Sequence, residues 1–175
     1  MGKLVFDVID REPLVKNMPN CRSSIDLTKF IKFNQVSFKY PTTPKEFKNI
    51  LDKVTFQIEA GKSTAIVGPS GVGKSTIVQL IERFYDPLEG FITFDDVNIK
   101  EVDIKALREN IGYVPQEPVL IIGTIKDNLL FGNKDASEEE IRVAIDKSNS
   151  HFVYELDNKL DTYIGSTSVM NLSGG

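Results

Sequence analysis

A glycine-rich segment at residues 68–76, GPSGVGKST, has the spacing G-x-x-x-x-G-K-[S/T] of a phosphate-binding loop. Glycines allow positive φ and a close approach of the backbone to a ligand, so N–H groups of residues 71–76 can point at phosphate oxygens. Lys74 supplies a full charge for β- and γ-phosphates, Ser75 can ligate Mg²⁺, and Thr76 can reach an α-phosphate. The predicted phosphate-binding residues are Gly68, Ser70, Gly71, Val72, Gly73, Lys74, Ser75 and Thr76.

A phosphate-binding loop lies between a strand and a helix, and the segments on either side of this loop fit that context. The short apolar run at residues 65–67 predicts a buried strand that enters the loop, and Ile77, Leu80, Ile81 and Phe84 repeat at helical spacing after it. A helix that begins here adds the partial positive charge of its N-terminus. The loop alone does not choose among kinases, GTPases and transport ATPases, because many folds and functions share it.

Alternating apolar residues predict most of the remaining strands. Residues 30–40 predict a strand with a bulge at Asn34 and Gln35, where the alternation slips by one residue. Val54, Phe56 and Ile58 predict a second half-buried strand, and residues 90–95 and 111–114 predict two more. Antiparallel-looking strands followed by strand and helix predict an α/β fold. We expect a P-loop NTPase core with an N-terminal antiparallel β subdomain and part of a helical subdomain.

Capping residues predict where the helices begin. Asp103 begins a short helix that ends near Glu109, Thr124 begins one that runs through Leu130, and Ser137 with Glu140 forms a capping box. Residues 2–11 and 151–156 also have helical character, and residues 14–29 are polar and irregular, as in a linker.

Composition excludes several classes of function. The chain has 175 residues and a net charge of −4, so a nucleic-acid partner has no bulk electrostatic support. The single cysteine, Cys21, permits no internal disulfide and fits a reducing, cytosolic setting. No run approaches the roughly 18 apolar residues that cross a bilayer.

Motifs at a distance from the loop narrow the family. Residues 38–41 read FKYP, residues 114–118 read VPQEP, and residues 172–175 read LSGG. The strings RFYDP at 83–87 and TIKDN at 124–128 fit the same pattern. In this order and spacing the chain resembles the nucleotide-binding domain of ABC transporters, specifically the type I exporters typified by P-glycoprotein.

The resemblance implies roles for matching positions, with ATP and Mg²⁺ as the ligands. Tyr40 would stack on adenine, and Gln116 would meet Mg²⁺ and the attacking water while contacting a transmembrane domain. With Lys74, Gln116 is the candidate catalytic residue. Ser173 and Gly175 would face the γ-phosphate that a second nucleotide-binding domain holds, in a head-to-tail dimer.

The resemblance also implies an organisation. Residues 1–29 would be a linker from a transmembrane domain, and residues 30–175 an ATPase domain on the cytoplasmic side of a membrane. The family's Walker B aspartate, catalytic glutamate and switch histidine are not matched up to residue 175, so we expect poor ATP hydrolysis by this chain alone. His151 is not the switch histidine and is expected to be solvated or structural.

A few positions depart from the family's pattern. Asp95 and Asp96 stand where Asp-Gly is usual, and Ile121 replaces a phenylalanine that would face a coupling helix. Three other functions remain open. They are a soluble ABC protein of repair or translation, a nucleotide-binding module without hydrolysis, and a P-loop kinase, against which the LSGG string argues.

Overall fold

The computed structural model describes residues 6, 10–44, 46–117 and 119–165, and the chain divides into two compact units, Met1–Gly112 and Tyr113–Gly175. Most of the predicted helix at residues 2–11 lies outside the described residues, as do Ser173 and Gly175. In the described part of the chain, no helix is long and apolar enough to cross a membrane.

The first unit is organised around an antiparallel sheet. Its strands are β1 (Phe30–Phe38), β2 (Leu51–Glu59), β3 (Glu89–Phe94) and β4 (Val97–Asn98), in the order β2-β1-β3-β4. The three longer strands confirm the predictions from alternation. Phe33, at the centre of β1, is fully buried and stacks on Phe56 of β2, with ring centroids 4.5 Å apart.

The predicted bulge in β1 is confirmed. The register shifts between Phe33 and Val36 against β2, and between Asn34 and Ser37 against β3. Gln35 takes a φ of 47°, and its backbone N–H donates to the Thr55 hydroxyl at 2.9 Å. Gly90 is required opposite the bulge, because a Cβ there would lie 2.3 Å from the carbonyl oxygens of Asn34 and Gln35.

Helices pack on this sheet through their apolar faces. Helix α1 (Lys74–Ile81) follows the glycine-rich loop, as predicted, and α2 (Ile104–Glu109) begins at Asp103, whose side chain accepts from the N–H groups of Lys105 and Ala106. Ile77, Leu80 and Leu107 join the buried cluster. The residues that the sheet contributes to the same cluster are Phe33, Val36, Phe38, Leu51, Ile92 and Phe94.

The second unit is smaller. It contains β5 (Gly123–Thr124) paired with β6 (Tyr163–Ile164), α3 (Ile125–Leu130) and α4 (Glu138–Lys147). Thr124 and Ser137 each form a complete capping box, with Asp127 and Glu140 respectively. The predicted helical character at 151–156 is a 3-10 helix, His151–Glu155, and the His151 side chain is solvated, as expected.

Two strand predictions are wrong. Residues 65–67 and 111–114 form no ladder, and Val67 and Val114 are 87% and 90% exposed. A strand is maintained by hydrogen bonds to a neighbour, and within the described residues no segment pairs with either run. Apolar composition at these positions indicated burial, but it could not supply the partner that burial requires.

The predicted linker is irregular, and hydrogen bonds of residues 17, 22 and 28 hold it against other parts of the first unit. Arg22 forms an isolated bridge with Val102, and the side chain of Asn17 accepts from the N–H of Ile104 at 2.9 Å. Thr28 donates through its N–H and its hydroxyl to Asp95, at 3.0 and 2.7 Å. The boundary at residue 29 stays a prediction.

Candidate functional site

The glycine-rich loop passes into α1 through a residue that must be glycine. Gly73 has a φ of 100°, and a Cβ there would lie 2.9 Å from Leu51 Cδ2 and 3.0 Å from Ile50 Cγ2. The start of β2 therefore packs directly behind the loop. This contact leaves no room for a side chain and holds the first turn of α1 against the sheet.

The N-terminus of α1 has the features of an anion site. No side chain caps the helix, and its first turn carries no acidic residue. In this turn the backbone N–H groups lack intrahelical partners, and the helix dipole adds partial positive charge. An anion such as a phosphate group is the ligand that this end of the helix favours.

Lys74 brings the positive charge to the loop itself. Its Nζ donates to the carbonyl oxygens of Gly68 at 2.9 Å and Pro69 at 2.7 Å, so the side chain folds back over the segment that precedes it. An ammonium group has three protons. Two satisfy these carbonyls, and the third is left for a ligand.

The two hydroxyls that follow Lys74 lie in different environments. Ser75 is exposed, whereas Thr76 is only 4% exposed. In the part of the chain that is described, no cluster of histidine, cysteine and carboxylate side chains could hold a metal ion. A magnesium ion commonly keeps several waters and takes ligands from substrate phosphates. The exposed Ser75 hydroxyl beside an anion site fits such an ion.

Tyr40 is placed beside α1. Its hydroxyl lies 2.7 Å from Gln79 Oε1 and 2.9 Å from Thr76 Oγ1. Its partly buried ring packs edge-on against Phe38 and Tyr85, with centroids 5.1 and 5.2 Å away. The structure thus brings Tyr40, which is predicted to stack on adenine, into contact with Thr76, the last residue of the loop.

The other end of α1 is held by two arginines. Arg83 is 1% exposed and donates to the carbonyl oxygens of Ile99, Val102 and Lys16 and to the Asp86 carboxylate, at 3.1–3.3 Å. Arg108 donates to the carbonyls of Glu82 and Arg83, at 3.0 Å each. The Arg108 bonds satisfy two carbonyls just after α1. The Arg83 bonds connect this end of α1 to backbone at residues 16, 99 and 102.

One carboxyl group near this end is poorly accommodated. Glu82 is 6% exposed, and among the described residues its Oε2 atom has no hydrogen-bond partner. Burial raises the pKa of this carboxyl, and the nearby charge of Arg108 opposes that shift. The raised pKa indicates that burial outweighs the attraction to Arg108.

The remaining predicted site residues are Gln116 and the pair Ser173 and Gly175, of which the last two lie outside the described residues. Gln116 is exposed and belongs to the second unit. In that unit the Asn128 side chain accepts from the N–H of Ile121 and donates to the carbonyl oxygens of Ile121 and Thr124, at 2.8–3.0 Å. These bonds fix the segment after Gln116, with the Ile121 side chain 37% exposed.

Sequence reasoning missed Gln79 and Arg83. Gln79 lies three residues after Thr76 on α1, so helical spacing places both side chains on one face, and this signal could have identified it. Arg83 begins the family string at 83–87, but that string assigned it no role, and a single arginine near a helix end normally predicts an exposed side chain. Its φ of 53° and its contacts with distant carbonyls exist only in the folded chain.

Comparison with known proteins identifies a matching family and several similar chains. The family model described as "ABC transporter" matches residues 51–175. The chain is 44% identical over 172 residues to ABC transporter B family member 1 of Dictyostelium discoideum, covering 98% of this chain and 18% of that protein. It is 41% identical over 173 residues to the ATP-dependent permease MDL1 of Candida albicans, covering 98% of this chain and 25% of that protein.

Solved structures include a similar fold. The chain superposes on a bacterial Atm1-family ABC exporter with ATP bound, with a TM-score of 0.88 and 35% identity, covering 99% of this chain and 30% of that one. The chain thus spans about a fifth of the Dictyostelium protein and a quarter of the Candida permease.

Proposed function

Since this chain belongs to the ABC transporter family, we propose that it binds ATP with Mg²⁺ and supplies the energy for export by a larger membrane protein. The named relatives are transporters and a permease, and the similar solved structure is an exporter. They do not favour the soluble alternative. Where hydrolysis occurs, ATP supplies a transferable γ-phosphoryl group whose charge the protein must stabilise.

The uncapped N-terminus of α1, with Lys74 folded over the loop, carries this proposal. The phosphates would lie against the N–H groups of residues 71–76, beside the Lys74 ammonium. Ser75 would ligate Mg²⁺ and Thr76 would donate to the α-phosphate. The loop contains hydrogen-bond donors for phosphate and no carboxylate that could act as a base. We therefore expect this chain alone to bind ATP but to hydrolyse it poorly.

The other proposed roles depend on residues away from the loop. Tyr40 would stack on adenine, and Gln116 would orient the attacking water and contact a transmembrane domain. Ser173 and Gly175 would meet the γ-phosphate bound by a second nucleotide-binding domain. We propose that the domain lies on the cytoplasmic side of a membrane, as the resemblance to exporters implies.

Substitution of Lys74 tests ATP binding. Lys74→Ala should weaken binding of Mg-ATP, measured by calorimetry, by at least about tenfold, because charge-assisted hydrogen bonds contribute roughly 1.5–3 kcal/mol each. Lys62→Ala is the matched control, since Lys62 is exposed and pairs with Glu59. Equal affinities for the wild type and Lys74→Ala would show that this loop does not hold the phosphates.

Export needs a separate test, which is the sequence on both sides of this chain in its gene. Transmembrane helices before residue 1, and an apolar strand ending in Asp-Glu after residue 175, would support the exporter proposal. A soluble domain before residue 1 would contradict it without affecting ATP binding.

A further inference from the structure

The contacts of Tyr40 define the direction of a hydrogen-bond chain. An amide oxygen only accepts hydrogen bonds, and a phenol has one proton. The Tyr40 proton therefore goes to Gln79 Oε1, at 2.7 Å. With that proton used, the Tyr40 oxygen can only accept from the Thr76 hydroxyl, at 2.9 Å. The chain runs from Thr76 to Tyr40 to Gln79.

This direction determines what the Thr76 hydroxyl can do. Its one proton is committed to Tyr40, and the residue is 4% exposed, so few other partners are within reach. A phosphate oxygen at the N-terminus of α1 would be an acceptor and would need that same proton. The bond from Thr76 to Tyr40 and a bond from Thr76 to phosphate exclude each other.

We infer that Gln79 is a positioning residue that holds Tyr40 on the Thr76 hydroxyl, so that nucleotide must break this contact before Thr76 can donate to phosphate. The inference rests on the proposed binding of nucleotide at this loop. Gln79 acts through Tyr40, because it leaves the Tyr40 oxygen only the role of acceptor. The edge-on contacts of the Tyr40 ring with Phe38 and Tyr85 stabilise the same held position.

Two ligands separate the hydroxyl of Tyr40 from its ring. Mg-ATP offers phosphates and adenine, whereas magnesium tripolyphosphate offers phosphates alone. Tyr40→Phe removes the hydroxyl and should raise the affinity of the full chain for tripolyphosphate by about two- to tenfold, the equivalent of one hydrogen bond. Tyr40→Ala should give a similar gain for tripolyphosphate but a loss for Mg-ATP, because the stacking surface is gone.

Further variants tie the gain to this chain of bonds. In a Thr76→Val background, Tyr40→Phe should give no gain for tripolyphosphate. Gln79→Met should give a gain in the wild type, because Tyr40 can then donate to Thr76, and no further gain in Tyr40→Phe. A merely structural role for Gln79 would not depend on the Tyr40 hydroxyl in this way. Tyr113→Phe, an exposed tyrosine of the second unit, is the control.

The outcomes separate the inference from the proposed function. An unchanged tripolyphosphate affinity in Tyr40→Phe, with ATP binding still sensitive to Lys74→Ala, would overturn the inference and leave the ATP site standing. If Tyr40→Ala raised the affinity for both ligands equally, the adenine role of Tyr40 would be overturned. The gain for tripolyphosphate would still support the inference. Failure of both ligands to depend on Lys74 would overturn the proposed site and with it the inference.

Discussion

Arg83 donates a hydrogen bond to the backbone carbonyl of Lys16 at 3.1 Å, across 67 positions of the sequence. The guanidinium is almost completely buried, and it also binds the carbonyls of Ile99 and Val102. A single side chain therefore connects the irregular N-terminal stretch to the end of the helix that follows the phosphate loop. Any displacement of residue 16 must be accompanied by movement of this helix end or by loss of the bond.

Replacement of Arg83 should destabilise the first unit. Arg83→Met removes the guanidinium bonds to three carbonyl oxygens and to the Asp86 carboxylate. We expect the free energy of unfolding in urea to fall by about 3 kcal/mol. Arg142→Met is a matched control, because Arg142 is an exposed arginine paired with Glu139. That change should cost less than about 1 kcal/mol. Similar losses in both variants would contradict the structural role of Arg83.

Gly90 should tolerate no side chain. Gly90→Ala places a Cβ 2.3 Å from two carbonyl oxygens of the β1 bulge, at a φ of 75°. Since β1 must shift, we expect a loss of more than about 3 kcal/mol in the free energy of unfolding. Gly61→Ala provides the comparison, with a φ of 72° and no heavy atom within 4 Å.

Gly61→Ala carries the cost of positive φ alone, about 1 kcal/mol. The difference between the two alanine variants, measured by urea denaturation, isolates the steric clash at the bulge. If Gly61→Ala destabilised the chain as much as Gly90→Ala, the close approach of the bulge to Gly90 would be refuted.

Asp95 should make stability depend on pH. Its carboxylate accepts from the N–H groups of Phe30, Thr28 and Lys29 and from the Thr28 hydroxyl. These bonds, with that from Phe30 N–H the strongest influence, hold the pKa of this carboxyl far below its usual range. The unfolded chain, with an aspartate pKa of about 3.9, therefore binds the proton first as pH falls.

The stabilisation from Asp95 is complete above the unfolded pKa and is lost as pH falls toward the folded pKa. Asp95→Asn should be less stable than the wild type at pH 6, and the gap should narrow below about pH 4. Urea denaturation at several pH values measures it. Asp96→Asn is the control, because the Asp96 side chain is 84% exposed. If the stability difference between Asp95→Asn and the wild type grew on acidification, the role given to the Asp95 carboxylate would be contradicted.

The β3–β4 turn shows why a departure from the family's pattern is tolerated. The usual Asp-Gly pair is Asp95-Asp96 here, and Asp96, at the position of the glycine, does not take a positive φ. Asp95, the first of the pair, is the residue with positive φ, at 52°. The hydrogen bonds to its carboxylate fix the turn from the side of residues 28–30.

Local rules predicted the loop, its helix, the bulge in β1 and the caps of α2, α3 and α4, because each depends on residues a few positions apart. They failed at residues 65–67 and 111–114, where apolar character indicated burial without showing which strand would be the neighbour. The roles of Tyr40 and Ser75 remain predictions, because ligand contacts are not fixed by the fold of the chain alone.

The sequence by itself determined the phosphate loop, since G-x-x-x-x-G-K-[S/T] is a local requirement of backbone conformation and charge. Tertiary structure alone decided that position 73 has no room for a side chain beside Ile50 and Leu51. It also decided that Arg83 is buried and that the Tyr40 hydroxyl contacts Thr76 and Gln79. These contacts join residues far apart in sequence. Their distances depend on how the sheet and α1 pack, which no local pattern specifies.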